Sequence, residues 1–246
     1  MKNKKKLIIL LTFLFCTYSS AEDVQKLIDN KLSNKINEFS NKLSNNISNN
    51  LKNHERIKYL DFSVNFQENL KPTIEIQSVN KLAENKNGSL FNQTNLLSHD
   101  GDTTLNLGLG KRKLINNDSL LLGSNIFFDY QFDESHFRNG LGLEAISNSL
   151  DFRGNYYNAI SGFKTTDEGS EKTLDGYDLQ LDYHLKDLEN SKTDLFIQTF
   201  EWENPNSSFK EKGEKAGIIS QLGNLAFEIG YLNDNKNNDG FFGSIK

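Results

Sequence analysis

Two periodicities divide the chain. From Val24 to about Leu51, apolar residues fall at Val24, Ile28, Leu32, Ile36, Phe39, Leu43, Ile47 and Leu51, among Asn, Lys and Ser. Steps of four and three make one narrow apolar stripe on an α-helix. No Gly or Pro interrupts it, but the abundant Asn lowers helix propensity, so the predicted helix over 22–56 needs a partner. A periplasmic spacer or a small self-associating coiled coil meets that need, and a plug entering a barrel is the sharper alternative. After Arg56 the period falls to two. In Tyr59–Phe66, Leu60, Phe62, Val64 and Phe66 share one face and Asp61, Ser63 and Asn65 the other, the pattern of a strand between an apolar and a polar environment.

The same alternation returns over Thr73–Val79, Leu105–Arg112, Leu122–Tyr130, Phe137–Ala145, Leu150–Tyr157, Tyr177–His184 and Leu225–Leu232. It is weaker over Ser89–Leu97, Thr193–Trp202, Lys215–Leu222 and Phe241–Ile245, which brings the expectation to about twelve strands. Turn-rich polar clusters separate them, among them His99–Asp102, Thr165–Thr173 and Asn233–Gly240. Residues 57–246 therefore read as one all-β domain, with about sixteen residues per strand and loop, enough for the nine to eleven that a tilted membrane-crossing strand requires.

Alternation alone does not separate a soluble β-sandwich from a barrel whose apolar face meets lipid. The second face does. By parity it carries Asn106, Gly108, Gly110 and Arg112, then Asn125 and Asp129, then His136, Arg138, Gly140, Gly142 and Glu144, then Asp151, Arg153 and Asn155, then Asp178, Gln180 and Asp182. Interleaved charges of both signs can pair in a narrow water-filled lumen, and glycines among them mark curvature or close approach inside a barrel. Arg112, Arg138 and Arg153 are expected to pair with Asp129, Glu144, Asp151, Asp178 or Asp182, because partly desolvated charges are costly alone. Tyr156, Tyr157, Tyr177, Tyr183, Phe200, Trp202 and Tyr231 fall near strand ends, where the aromatic girdles of a membrane barrel belong. The predicted architecture is a transmembrane antiparallel β-barrel preceded by a short α-helical periplasmic segment.

The first residues fix the compartment. Lys2, Lys4, Lys5 and Lys6 precede an apolar stretch from Leu7 to Cys16 and the small residues Ser19, Ser20 and Ala21, a secretory signal with cleavage expected after Ala21. The apolar run is too short for a membrane-spanning helix. Cys16 is the only cysteine and sits inside that run, so the mature chain would have neither a disulfide nor a thiolate metal site. Losing four lysines moves the formal charge from −5 to about −9, which makes nucleic acid a poor partner.

Residues 105–164 resemble the central signature of the inverse autotransporter β-domain, the barrel of the intimin/invasin adhesins. The matching positions are Asn106, Gly108, Gly110 and Arg112; Gly123, Asn125, Phe127, Asp129 and Tyr130; His136, Arg138, Gly140, Leu141, Gly142 and Glu144; Leu150, Arg153, Asn155 and Tyr157; and Ser161, Gly162, Phe163 and Lys164. Gly176-Tyr177-Asp178-Leu179 matches a further strand start. The resemblance implies a twelve-stranded barrel in the outer membrane of a Gram-negative bacterium, inserted by the barrel assembly machinery among lipids and lipopolysaccharide, that exports a C-terminal adhesin-type passenger through its lumen. The sequence departs from that pattern at its ends. Residues 22–56 do not resemble a LysM module. Asp239–Lys246 supplies only the beginning of a spanning strand, without a terminal aromatic, so a fragment or decayed product of a longer protein is expected.

Specific residues bear on other functions. Outer-membrane phospholipase A is also a twelve-stranded barrel, and His136-Phe137-Arg138-Asn139-Gly140 resembles its H-x-S-N-G motif, but Arg138 occupies the nucleophile position and supplies no hydroxyl. A diffusion pore is a third reading. His54, His99, His136 and His184 lack ligand spacing, and Asp100-Gly101-Asp102 reads as a turn, not a calcium loop, so no catalytic residue, cofactor or metal site is assigned. Lys111-Arg112-Lys113 reads as solvated charge, with lipopolysaccharide phosphate contact as an alternative.

Overall fold

The computed structural model describes residues 57–68, 70–115, 117, 119–166, 169–185, 192–204 and 206–246. The signal segment 1–21 and the helix expected over 22–56 lie outside the described residues. Among the described residues fourteen strands follow one another: β1 (Ile57–Gln67), β2 (Thr73–Asn85), β3 (Gly88–His99), β4 (Asp102–Ile115), β5 (Leu120–Gln131), β6 (His136–Ser147), β7 (Leu150–Ala159), β8 (Lys164–Thr166), β9 (Gly169–Glu171), β10 (Asp175–His184), β11 (Lys192–Glu203), β12 (Lys210–Leu222), β13 (Leu225–Asp234) and β14 (Gly240–Ile245). Twelve of them form a closed antiparallel barrel in which β7 pairs with β10, and β1 closes the ring on β14 from Val64↔Ile245 to Gln67↔Phe242. The remaining two, β8 and β9, pair only with each other in a small hairpin. It overlaps the segment Thr165–Thr173, expected to be turn.

Closure pairs the edges that an open sheet would leave for aggregation. The connections β2–β3, β4–β5, β6–β7, β10–β11 and β12–β13 lie at one end, the turn end, and the others lie at the opposite, loop end. Asp100 and Gly101 join β3 to β4 with φ of 52° and 105°. Two consecutive positive φ values make the tight hairpin turn that Asp-Gly favours, because its twist matches that of the flanking strands.

Side-chain placement is inverted relative to a soluble protein. Outward positions near the middle of the strands carry Leu109, Ile126, Leu141, Leu179, Ile197 and Ile218, all exposed, with Ile197 at 59 %. Inward positions carry Asp129, Asp151, Asp178 and Asp182, all buried, with Asp182 at 3 %. Apolar atoms outside and charges inside are stable only where the outside is not water. Tyr156, Tyr177, Tyr183 and Tyr231 are exposed near strand ends. Tyr157, Phe200 and Trp202 correct the girdle expectation: they share the inward parity of Asn155, Asp178 and Gln198, and Tyr157 donates a hydrogen bond to Asp178 at 2.8 Å.

The bore is made by pairing rings with glycines. Phe91 lies opposite Gly110, Phe127 opposite Gly140, Trp202 opposite Gly176, Phe200 opposite Gly213, Phe196 opposite Gly217 and Phe242 opposite Gly230. In each pair a Cβ on the glycine would run into the facing ring. The missing side chain lets the ring lie along the wall of the barrel, an arrangement also used to cover glycine in designed sheets.

Candidate functional site

Among the described residues, charged side chains of both signs converge on the lumen wall. Three arginines organise it. Arg112 on β4 reaches Glu144 on β6 with two contacts, Nε to Oε1 at 2.5 Å and Nη2 to Oε2 at 3.0 Å, passing over Gly123 of the strand between them. A Cβ at position 123 would strike the Glu144 carboxylate, so this glycine is what lets an ion pair span two strands. The Arg112 guanidinium also lies 4.7 Å from the Phe91 ring centroid.

Arg138 on β6 donates to Asp129 Oδ2 from Nε at 2.8 Å, and its Nη2 is 2.6 Å from the same oxygen. Asn106 donates to the other oxygen of Asp129. The guanidinium lies against two aromatic rings, 4.4 Å from the Tyr157 ring centroid and 5.4 Å from that of Trp202. Asp178 accepts from Tyr157 at 2.8 Å and from Asn155 at 3.1 Å. This cluster is at the loop end of the bore. It opens onto a cavity of about 350 Å3 lined in part by Asp178, Phe200, Trp202 and Lys215.

Arg153 on β7 bridges two carboxylates, Asp151 at 2.9 Å and Asp182 of β10. The ladder continues at the turn end through His184, whose Nε2 is 3.0 Å from Asp151 and whose Nδ1 is 2.7 Å from Asp194. Gln180 donates to the second oxygen of Asp182 at 2.7 Å. Each guanidinium thus meets at least one carboxylate with directional hydrogen bonds, the geometry that offsets the cost of removing charge from bulk water.

Two predicted residues stand apart from these clusters. His136 is buried, with Nδ1 3.2 Å from Ser161 Oγ and Nε2 without a hydrogen-bond partner among the described residues. Ser161 also accepts from the Phe137 amide at 3.0 Å, so the contact fastens the β7–β8 connection to β6. Asn125 lies over Gly142, and its Oδ1 is buried without a described partner. The triplet Lys111-Arg112-Lys113 is split by strand parity: Arg112 turns inward, while Lys111 and Lys113 are exposed near the turn end of β4.

Sequence reasoning missed Glu75, Lys215 and Glu228. Glu75 gathers Asn95 at 2.7 Å, Ser63 at 3.4 Å and Asn65 at 3.5 Å. Lys215 projects over the rings of Phe200 and Phe242, 5.9 and 5.4 Å from their centroids. Glu228 accepts from Ser244 at 3.2 Å, which joins β13 to β14. Their strand parity was available, since Glu75 alternates with Ile74 and Ile76, but none of the three lies within the motif-bearing segment 105–164.

A closed antiparallel barrel with an apolar outer belt and a hydrogen-bonded charged bore is an outer-membrane β-barrel. Comparison with known proteins narrows the class. The family described as "Inverse autotransporter, beta-domain" matches residues 15–217, and the chain belongs to that family. An attaching and effacing protein homolog of Escherichia coli (strain K12) is 31 % identical over 99 residues, which cover 39 % of this chain and 33 % of that protein. The match thus spans about a third of that relative's length. Among solved structures, one from work headed "Unveiling the Mechanism Behind the in-meso Crystallization of Membrane Proteins" has a TM-score of 0.65 at 20 % identity, covering 76 % of this chain and 81 % of that one. KdgM porin has a TM-score of 0.51 at 8 % identity, covering 76 % and 95 % respectively, a likeness of fold alone. The protein resides in the outer membrane.

Proposed function

We propose that this barrel is the translocator and membrane anchor for a C-terminal adhesin-type passenger. The observation that carries the reading is the bore wall. Its large rings lie against opposing glycines, and its arginines are already paired with carboxylates, as in Arg138 with Asp129 and Arg153 with Asp182. A wall whose guanidinium groups are neutralised in this way offers hydrogen bonds to an extended polypeptide without gripping its carboxylates. Membership of the inverse autotransporter family supports the same reading. Its test is an epitope fused C-terminal to the barrel in the complete gene product. Antibody labelling of intact cells is expected, and labelling only after the outer membrane is permeabilised would overturn it.

A second reading, a diffusion pore, is favoured by the porin-like fold and by the polar bore. Purified barrel in a planar bilayer separates the two: a steady open conductance in the complete protein supports a pore, and a closed, occluded bore supports the translocator. The hydrolase reading gains nothing from His136, whose Nε2 has no orienting carboxylate among the described residues. With the turn end taken as periplasmic, as short turns are in this class, Lys111 and Lys113 face the inner leaflet, away from lipopolysaccharide.

A further inference from the structure

The outer belt is interrupted at mid-height on β2 and β3. On β4, β5, β6, β10 and β11 the outward residues nearest the strand centre are Leu109, Ile126, Leu141, Leu179 and Ile197, and on β12 Ala216, followed by Ile218, takes that place. On β2 and β3 they are Ser78 and Asn80, and Asn92 and Thr94. Parity puts all four outside, because Glu75 on β2 and Phe91 and Asn95 on β3 face the bore. Register puts them side by side, Ser78 opposite Thr94 and Asn80 opposite Asn92. The island is enclosed by exposed apolar residues: Ile74 and Leu96 toward the loop end, Leu82 and Leu90 toward the turn end, and Leu107 and Leu109 on the adjoining strand.

Within the island Asn80 donates to Ser78 at 3.0 Å; Asn92 Oδ1 is buried by its own chain without a hydrogen-bond partner among the described residues, so the partly exposed groups of Ser78, Asn80, Asn92 and Thr94 are what the outer surface presents. Amide and hydroxyl groups facing hydrocarbon cost free energy unless something hydrogen-bonds them, and at this depth neither water nor lipid headgroups do so. Polar side chains on membrane-facing surfaces accordingly tend to mark contacts with other protein.

We propose that this island is the contact surface for a second copy of the same chain, packed side by side in the membrane about a two-fold axis. The chemistry selects that occupant. All four residues are neutral, and each carries both donor and acceptor groups, so the patch is complementary to itself when turned through a half rotation. It presents no charge to attract lipid phosphate or an oppositely charged partner. The apolar residues around it supply the flat packing rim that close approach of two barrels requires.

Cysteine cross-linking in native outer membranes tests this, because Cys16, the only cysteine, lies within the expected signal segment. Two differently tagged copies of the full chain are co-expressed, each carrying Asn92→Cys or, as a second site, Thr94→Cys, and treated with a short bis-maleimide. Heat-modifiable migration reports that each variant has folded, and the second site carries the test where the first does not fold. The expected product has twice the chain mass and both tags. Ile197→Cys, on the far side of the barrel, is expected to give little of it. Adding Asn80→Leu and Asn92→Leu to the Thr94→Cys chain should lower the yield several-fold. No doubly tagged product from the folded variants, an equal yield from Ile197→Cys, or a product joined to a different protein and carrying one tag would each overturn the proposal.

Discussion

At the scale of single residues, Arg138 has the most dependants. Its guanidinium holds Asp129 by two short contacts and lies against two aromatic rings. Arg138→Ala would leave Asp129 with Asn106 as its remaining described partner, in a bore only partly hydrated. Breaking a fully buried pair costs about 3–5 kcal/mol, and partial exposure brings the expected loss here to roughly 2 kcal/mol. Arg138→Lys keeps the charge but not the two-pronged geometry, and should fall between wild type and alanine. Phe128→Ala, on the lipid face, should cost less, on the order of 1 kcal/mol, because lipid fills the space and chiefly the stacking on Phe137 is lost. Urea titrations followed by heat-modifiable migration would rank the three; Phe128→Ala as the most damaging would contradict the assignment of faces. Parity made this legible from sequence, since alternation assigns Arg112, Arg138 and Arg153 to one face. Partner choice was not legible, because it depends on strand register, which an alternating pattern does not state. Tyr157 shows the opposite failure: its parity with Arg153 and Asn155 pointed inward, but adjacency to Tyr156 suggested a girdle.

At the scale of the strands, the glycines set how far each pair can approach. In Gly110→Ala the atoms nearest the new Cβ all belong to the Phe91 ring, the far end of a side chain that can give way toward the bore. In Gly217→Ala it meets the Ile229 carbonyl oxygen as well as the Phe196 ring, and backbone cannot give way without shifting a strand. The first should cost at most about 1 kcal/mol and the second about 2–3 kcal/mol, as overpacking does elsewhere. Reduced recovery of folded barrel for Gly217→Ala alone is the expected outcome, and equal recovery of the two would count against it. The element count was readable because twelve segments alternate. The lengths were not. β2 continues past Val79 to Asn85 through a register shift between Lys81 and Ala83, which breaks the alternation. β3 reads weakly because Asn92 and Thr94 make its outer face polar at the centre, where periodicity expects an apolar residue. The β8–β9 hairpin, of three-residue strands, is too short for any period to register.

At the scale of the whole molecule, the balance of bore charge is acidic. Glu75, Asp129, Glu144, Asp151, Asp178, Asp182 and Glu228 face inward against Arg112, Arg138, Arg153, Lys215 and Lys246. Any ion current through the barrel should therefore favour cations, and a reversal potential measured across a salt gradient would carry that sign; an anion-selective current would show that the assigned inner face is wrong. The bore also contains Trp202, the chain's single tryptophan, 4.9 Å from the Tyr157 ring and beside the Arg138 guanidinium. Its emission therefore comes from one known point on the inner wall. In an empty barrel acrylamide, a neutral quencher, added to the water should quench that emission, and brominated lipid tails, which touch only the outer wall, should leave it bright. A polypeptide drawn through the bore would shield the indole and lengthen its fluorescence lifetime in step with transit, so the protein has its own optical gauge of whether the channel is occupied.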